Sequence, residues 1–314
     1  MKQTILGAGG AIGIELAKAL ADYTSDIRLV NRNPSKVNPT DSLHAADLTD
    51  RTAVFKAIEG SEITYVVIGF PYKTSIWKQT WVPFIQNLID ACLEHNSKLV
   101  FFDNVYAIGG DHVNHITENS PISPTSKKGE IRAEVDRLIM ENMDKNHLQA
   151  IIARAPDFFG GISRENSILM NLVYDNLAKG KKAQWFCNAK VLHTMGYVPD
   201  LAKGTAILGN TPEAFNQIWN LPTDPKKLTG EDWINLFASE MGKDNKYTVL
   251  PNWMIKGIGI FVPIMKELAE MNYQYDRDYY FDSTKFRDYF GFVPTPNAIA
   301  VSYTTSTFYT YNQL

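Results

Sequence analysis

The feature that most constrains the fold is a group of glycines that follows the first apolar run. Thr4–Leu6 has the composition of a buried strand, and Ala11–Tyr23 carries apolar residues at helical spacing. Gly7-Ala8-Gly9-Gly10 joins them, and Gly13 lies in the first turn of the helix. Gly7 permits a tight turn, Gly10 lets a ligand approach the backbone, and Gly13 lets the helix pack closely on the strand. This order predicts a phosphate-binding site at the helix N-terminus.

Short apolar runs alternate with amphipathic segments up to about residue 155. The runs with strand character are Thr4–Leu6, Ile27–Val30, Tyr65–Ile68, Leu99–Phe102 and Ala150–Arg154. The segments with helical periodicity are Ala11–Tyr23, Arg51–Ile58, Trp77–His95 and Lys128–Asn142. This alternation predicts an α/β fold of the Rossmann type, a doubly wound parallel sheet that binds a dinucleotide behind its glycine turn.

The alternation fades after Asp157, where Gly and Pro interrupt further helical segments. These segments are Ile168–Lys179, Pro199–Leu208 and Thr229–Met241. We therefore predict a dinucleotide-binding Rossmann domain over residues 1–157. For residues 158–314 we predict mostly a smaller C-terminal substrate-binding cap, with some segments that return to the Rossmann sheet.

Composition narrows the range of partners and compartments. A net charge of −3 provides no basic surface field, so we predict no nucleic-acid partner. Cys92 and Cys187 are far apart and predict neither a disulfide nor a metal site, and no secretory signal pattern is evident, so we predict a cytoplasmic protein. Trp253–Met265 is apolar but short and interrupted by Lys256 and Pro263, so we predict a buried helix pair or pocket wall and no membrane partner.

The residues after the second strand bear on which dinucleotide binds. NAD sites usually place an acid there for the ribose 2′-hydroxyl, and Asn31–Lys36 contains none. Arg32 instead offers a guanidinium to a 2′-phosphate, so NADP is favoured, with NAD as the alternative. A solvated Arg32 with no role in binding is the competing interpretation.

Further positions are assigned to the cofactor from their places after the next strands. Asp47 is predicted to accept from the adenine amino group and Leu48 to pack on the ring, while Asp50 caps the next helix. Ile68-Gly69-Phe70 is interpreted either as a contact with the cofactor ribose or as a simple turn. The predicted cofactor-binding residues are Gly7, Gly9, Gly10, Ala11, Ile12, Gly13, Asn31, Arg32, Asp47, Leu48, Ile68, Gly69 and Phe70.

With these residues, the chain resembles extended and atypical short-chain dehydrogenase/reductases, especially the NAD-dependent epimerase/dehydratase family. The resemblance extends over nearly the whole chain and includes Arg154–Gly160, His193–Ala202, Phe281–Lys285 and Phe290–Pro296. It implies an NAD(P)-dependent oxidoreductase or epimerase/dehydratase-like enzyme acting on a small polar substrate, such as a nucleotide sugar or a carbonyl compound. It also adds Ala155 to the cofactor-binding residues.

The catalytic positions of the family are altered here. Typical members carry a Ser after the fifth strand and a Tyr-x-x-x-Lys on the following helix, where Tyr exchanges a proton with the substrate and Lys holds the nicotinamide ribose. By alignment these positions hold Asn104, Lys128 and Arg132. Tyr106 shares a strand face with Asn104 and is a candidate relocated acid.

The candidate catalytic residues are therefore Asn104, Tyr106, Lys128 and Arg132. Lys128 has three interpretations: a proton donor, a phosphate or carboxylate ligand, or a solvated residue at the helix start. Arg132 lies one turn away and is predicted to hold ribose hydroxyls or a substrate carboxylate, so it also counts as a cofactor ligand.

Substrate contacts are predicted at Tyr72, Asp157, Phe158 and His193, although His193 is equally well interpreted as a buried structural residue. Two functional hypotheses follow. The first is a catalyst that uses NADP; the alternative is a non-catalytic NADP(H)-binding regulator or sensor, suggested by the loss of the Tyr and Lys pair. The resemblance further implies a homodimer formed through the helices at Trp77–His95 and Lys128–Asn142.

Overall fold

The computed structural model describes residues 1–160 and 167–311, of which 309–311 are described through the backbone alone. The chain divides into two compact units. The first comprises Met1–Ala107, Lys127–Ala155 and Leu201–Leu221, and the second comprises Ile108–Ser126, Pro156–Asp200 and Pro222–Leu314. The predicted cap range also takes in residues 161–166 and 312–314, which lie outside the described residues. The segment Ile108–Ser126, which the sequence boundary assigns to the first domain, belongs to the second unit.

The secondary structure elements are numbered along the chain. The strands are β1 (Gln3–Leu6), β2 (Ile27–Asn31), β3 (Ser42–Ala45), β4 (Ile63–Val66), β5 (Lys98–Asp103), β6 (Ala150–Arg154), β7 (Phe158–Phe159), β8 (Ala183–Phe186), β9 (Gly196–Tyr197), β10 (Gln217–Asn220) and β11 (Tyr247–Leu250). The α-helices are α1 (Ala11–Leu20), α2 (Arg51–Ile58), α3 (Thr74–His95), α4 (Lys127–Asn146), α5 (Asp175–Ala178), α6 (Val198–Gly209), α7 (Gly230–Glu240), α8 (Asn252–Ile258), α9 (Pro263–Ala269), α10 (Thr284–Phe290) and α11 (Asn297–Tyr311).

The first unit is built on a seven-stranded sheet in the order β10-β6-β5-β4-β1-β2-β3, and every neighbouring pair is parallel. This confirms the predicted α/β fold with a doubly wound parallel sheet. The chain runs outward from β1 through β2 to β3, then returns to β4 on the other side of β1. The carboxyl ends of β1 and β4 therefore form the topological switch point, where ligands bind in folds of this kind.

Local chemistry explains where the helices of the first unit begin. Asp50 Oδ1 accepts a hydrogen bond of 2.7 Å from the Ala53 amide and caps α2, as predicted. The apolar faces of α3 and α4 pack on the sheet with residues such as Leu88 and Ile139, which are fully buried. Successive residues of a strand point to opposite faces of the sheet, and in β1, β4 and β6 all of them are buried. Both faces of these strands are therefore covered, which explains why their sequences do not alternate regularly between apolar and polar residues.

The second unit contains two small parallel pairs, β7 with β9 and β8 with β11. Its core is aromatic: Trp185, Trp233 and Phe237 are each no more than 1% exposed and belong to one apolar cluster. Helix α7 begins with a reciprocal capping box, in which Thr229 and Asp232 each accept from the backbone amide of the other.

The apolar segment Trp253–Met265 forms the predicted helix pair, α8 and α9. The prediction that the pair is buried is wrong, because Trp253 is 72% exposed, Ile260 78% and Phe261 86%. Hydropathy reports apolar character but not whether other elements cover it. Within the described ranges, no helix is both long and apolar enough to cross a membrane.

Candidate functional site

The glycine turn lies at the switch point of the sheet. The Gly7 and Ala8 amides donate to the Val30 carbonyl over 2.9 and 3.2 Å, which ties the turn to the end of β2. Gly7 has a φ of +96°, and a Cβ there would lie 2.7 Å from the Cα of Ile68. Both the left-handed backbone and the close approach to the chain that leaves β4 require glycine.

The remaining glycines keep the start of α1 open. A Cβ at Gly13 would lie 2.7 Å from the Gly7 carbonyl oxygen, and one at Gly9 would lie 2.6 Å from Asn31 Nδ2. Gly10 caps α1 without a side chain, and no acidic residue occupies the first turn. The first amides of α1 therefore have neither an intrahelical acceptor nor a competing carboxylate. This cradle suits a pyrophosphate, and Ala11 and Ile12 beside it are buried.

Arg32 and Asp47 follow neighbouring strands, β2 and β3, at the same edge of the sheet. Arg32 is exposed and, within the described part of the chain, makes no hydrogen bond or ion pair. Hydrogen bonds from the amide and hydroxyl of Thr49 lower the pKa of Asp47, and the charge of Arg32 adds to this effect. Asn31 Oδ1 accepts from the Asn33 amide, which shapes the loop. The two charged groups thus lie within electrostatic range, on an exposed surface.

Leu48 and Phe70, both predicted cofactor contacts, pack against other side chains of the first unit. Leu48 is 4% exposed and belongs to the core of the first unit, so little of its side chain is available to pack on an adenine ring. The Phe70 ring packs edge-on against Trp81 and Phe84 at 4.9 and 5.5 Å. Strand β4 ends at Val66 rather than at the predicted Ile68, which leaves Ile68 and the exposed Gly69 in the loop beside the glycine turn.

A cluster of polar and aromatic side chains lies after β4, which neighbours β1, after β5, which neighbours β4, and at the start of α4. We call Tyr72, Tyr106 and Lys128 the tyrosine–lysine cluster. The Tyr72 hydroxyl donates to the Tyr106 hydroxyl over 3.4 Å, and Lys128 Nζ lies 4.5 Å from the centroid of the Tyr72 ring. Lys128 Nζ also donates to Thr74 Oγ1 over 3.1 Å. Trp77 stacks on Tyr106 with ring centroids 6.2 Å apart.

This cluster settles one alternative for Lys128. The side chain is fully buried, so its interpretation as a solvated residue at the helix start is wrong. All three residues are predicted site residues, but Tyr72 is predicted as a substrate contact and its hydrogen bond to Tyr106 is not predicted. Both tyrosines follow adjacent parallel strands, and carboxyl ends meet at one edge of the sheet, so this proximity was open to prediction.

Asn104 orients the tyrosine that follows it. Its Oδ1 accepts from the Tyr106 amide over 2.9 Å, which closes a tight turn at the end of β5. The amide nitrogen Nδ2 is then the part of the side chain suited to donate to a substrate oxygen.

Four buried charged residues lie beside this turn: Asp103, Arg132, Asp136 and Arg154. The Arg132 guanidinium donates to Asp103 Oδ1 and covers the ring of Trp81 at 4.2 Å from its centroid. Arg154 Nη2 donates to Asp136 Oδ2 over 3.1 Å. The Arg132 guanidinium therefore contacts protein groups both through Nη2 and through the face that lies on Trp81. These contacts limit its predicted role as a ligand of ribose or substrate.

The four residues hold two carboxylates close together in a site without water access. Burial, followed by the charge of Asp103, raises the pKa of Asp136 to about 8, although the Arg154 charge opposes the shift. The Ala155 amide donates to the Asp103 carbonyl, which places Ala155 in the backbone next to this network.

In the second unit, His193 is packed closely between aromatic side chains. Its ring is stacked between Tyr275 and Tyr279, with centroids 4.4 and 4.6 Å away, and is 1% exposed. His193 Nε2 is 3.1 Å from Asp157 Oδ2, which also accepts from the Tyr275 hydroxyl over 2.5 Å. These contacts favour the structural interpretation of His193.

The half-buried Phe158 forms part of β7 in the same unit. In the described residues, no group of side chains has the composition of a metal site.

Comparison with known proteins identifies relatives. The model of the NAD dependent epimerase/dehydratase family matches residues 4–221. The uncharacterized UDP-glucose epimerase YtcB of Bacillus subtilis (strain 168) is 23% identical over 172 residues, which are 52% of this chain and 54% of YtcB. The chain thus spans about half the length of this curated relative.

Solved structures share the fold over almost their whole length. The crystal structure of gox2253 has a TM-score of 0.82 at 17% identity, covering 100% of this chain and 99% of that one. The UDP-glucose 4-epimerase of Thermus thermophilus, in complex with NAD, has a TM-score of 0.78 at 15% identity, with coverages of 98% and 99%. Since the family match covers more than half of the chain, this protein belongs to the NAD dependent epimerase/dehydratase family.

Proposed function

We propose that this protein is a nucleotide-sugar epimerase or dehydratase that works with a nicotinamide dinucleotide. The observation that carries the proposal is the tyrosine–lysine cluster, which follows β4 and β5 at the sheet edge where the glycine turn follows β1. A phosphate cradle and a set of proton-exchanging groups on adjacent strands are what this chemistry requires. YtcB and the Thermus protein, described as UDP-glucose epimerases, support the substrate class.

The glycine turn fits the cofactor. Gly7, Gly10 and the first amides of α1 would hold the pyrophosphate, with Asn31 and Arg32 beside the adenosine ribose and Asp47 near the adenine. A nicotinamide bound here supplies reversible hydride transfer. We propose a preference for NADP over NAD, because Arg32 is exposed and the end of β2 lacks a carboxylate for a ribose 2′-hydroxyl.

Within the cluster, Tyr106 is the proposed proton donor and acceptor at its hydroxyl oxygen. The Tyr72 hydroxyl, which donates to the Tyr106 oxygen, transfers its proton to Tyr106 when Tyr106 has given its own proton to the substrate oxygen. The Lys128 ammonium beside the Tyr72 ring stabilises the negative charge that this transfer leaves on Tyr72. Asn104 Nδ2 would orient the substrate oxygen. These roles replace the Tyr-x-x-x-Lys pair of typical relatives.

The proposed function is tested in two steps. Titration with NADPH and NADH, followed by protein fluorescence and melting temperature, is expected to show binding, and no response to either cofactor would refute the cofactor assignment. Incubation with UDP-glucose and dTDP-glucose is then expected to give an epimer or a keto sugar detectable by NMR. Tight cofactor binding without turnover on a broad panel of sugars and carbonyl compounds would favour the non-catalytic sensor.

The assembly state is a separate proposal. The family resemblance suggests a homodimer through α3 and α4, and a solution mass equal to that of one chain would refute it.

A further inference from the structure

An unusually exposed apolar surface lies on α8 and α9 of the second unit. We define the apolar tip as Trp253, Ile260, Phe261, Val262 and Ile264, whose exposed fractions are 72%, 78%, 86%, 40% and 47%. Trp253 lies in the first turn of α8, and the other four lie in the turn between the helices and at the start of α9. Soluble surfaces rarely gather so many large apolar side chains within twelve residues unless they bind something.

Several backbone groups of the turn between α8 and α9 are paired locally. The amides of Ile260, Phe261 and Val262 donate to the carbonyls of Gly257 and Ile258 over 2.9–3.2 Å. The Val262 carbonyl accepts from the Met265 amide at 3.0 Å. These paired groups can leave water without losing their hydrogen bonds, which lowers the cost of bringing the turn into the interfacial layer of a bilayer.

The exposed charged side chains of α8 and α9 are Lys256 and Lys266. Glu267 and Glu270, which follow Lys266 along the chain, are half-buried. The two exposed ammonium groups complement anionic headgroups, and the lysine stems can lie along an apolar surface while their ammonium groups stay in water.

We propose that the apolar tip inserts into the interfacial layer of a lipid bilayer with anionic headgroups and holds the protein at its surface. Side chains as exposed as Ile260 and Phe261 project outward, and acyl chains accommodate them without a matching pocket. Trp253 places an amphipathic indole next to the lysines, a combination typical of the headgroup boundary. This surface association requires no membrane-spanning helix.

Trp253 provides a specific probe. The other five tryptophans, Trp77, Trp81, Trp185, Trp219 and Trp233, are each no more than 5% exposed. Vesicles of phosphatidylcholine with phosphatidylserine are expected to co-sediment with the full chain, shift its emission to shorter wavelength and allow quenching by brominated lipids. Vesicles of phosphatidylcholine alone are expected to bind more weakly.

Matched variants test the surface. Phe261→Asp is expected to lower the partition coefficient about tenfold or more, because it replaces an apolar side chain that would contact lipid with a charged one. Val293→Asp changes an equally exposed apolar residue of the same unit, 86% exposed, and is expected to leave binding unchanged. A double Lys256→Glu and Lys266→Glu variant is expected to lose the preference for phosphatidylserine. Since these side chains are exposed, the melting temperatures should stay close to that of the parent protein.

The outcomes decide the proposal. No co-sedimentation of the parent protein, or equal binding by Phe261→Asp, would overturn it. So would a dimer in solution that Phe261→Asp dissociates while vesicles remain unbound, because the tip would then be covered by a second copy. None of these results depends on cofactor or substrate, so the proposed enzymatic function is tested separately.

Discussion

Gly7 and Ile68 approach so closely that no side chain fits between them. A Cβ on Gly7 would lie 2.7 Å from both the Cα and the nitrogen of Ile68, at a backbone φ of +96°. The approach joins the loop after β1 to the loop after β4 at the switch point of the sheet. The shape of the phosphate cradle therefore depends on this one position.

Gly7→Ala is expected to destabilise the protein by about 2–5 kcal/mol, from left-handed strain and overpacking together. It should also abolish cofactor binding, because the turn must shift. Gly60→Ala is the matched control: Gly60 has a φ of +72°, but a Cβ there meets no atom within 4 Å. Urea unfolding of both variants measures the loss of stability that backbone strain causes, and NADPH titration measures whether the cofactor site is lost. Normal cofactor affinity in Gly7→Ala would contradict the assignment of the cradle.

The tyrosine–lysine cluster gives a kinetic prediction that rests on the proposed function. Tyr106→Phe removes the proton from the proposed donor and is expected to lower kcat about 10²–10⁴-fold, with little change in cofactor binding. Tyr72→Phe should have a smaller effect, since it removes only the group that returns a proton to Tyr106. Tyr303→Phe, at a residue 60% exposed, serves as the control. An unchanged kcat in Tyr106→Phe would remove this residue from the mechanism.

The elements of the sheet were largely predictable because their signals are local. The bounds of β6 and α2 match the predicted ones, since an apolar run and a capped amphipathic segment each define their own ends. Strand β4 ends two residues earlier than predicted. Its predicted last residue, Ile68, is apolar but lies against Gly7, and such a long-range approach leaves no trace in hydropathy.

Burial of individual side chains was less predictable. Lysine is usually exposed, but Lys128 is fully buried; phenylalanine usually belongs to the core, but Phe261 is 86% exposed. Both depend on which distant segments pack nearby. The pairing of Asp103 with Arg132 likewise depends on how α4 packs on β5. Arg132 and Asp136 are four residues apart and share one buried face of α4, and this spacing could have predicted that the two charged side chains lie near each other.

Arg32 gives a test of cofactor preference. Arg32→Ala is expected to weaken NADPH binding about 10- to 100-fold, because a hydrogen bond to a charged group contributes about 1.5–3 kcal/mol, and to leave NADH binding unchanged. Arg137→Ala removes an exposed arginine from α4 and controls for net charge. Fluorescence titration measures both affinities. Equal losses for the two cofactors, or no loss for either, would contradict the NADP preference.

Asp136 predicts how stability depends on pH. Its pKa in the folded protein is about 8, mainly because of burial, while a carboxyl of the unfolded chain titrates near about 3.9. Between these values the folded protein binds a proton that the unfolded chain has released. This stabilising contribution is thus complete below about pH 4, decreases as the pH rises, and is lost above about pH 8, with a slope of at most about 1.4 kcal/mol per pH unit.

Asp136→Asn keeps a neutral side chain of the same shape and is expected to remove this contribution to the pH dependence. The free energy of unfolding of the parent protein, measured with urea between about pH 5 and pH 8, should fall relative to that of the variant as the pH rises. Asp22→Asn, at an exposed position, should instead run parallel to the parent protein. Parallel curves for Asp136→Asn would show that Asp136 is ionised throughout this range, with the two arginines outweighing both the burial and the charge of Asp103.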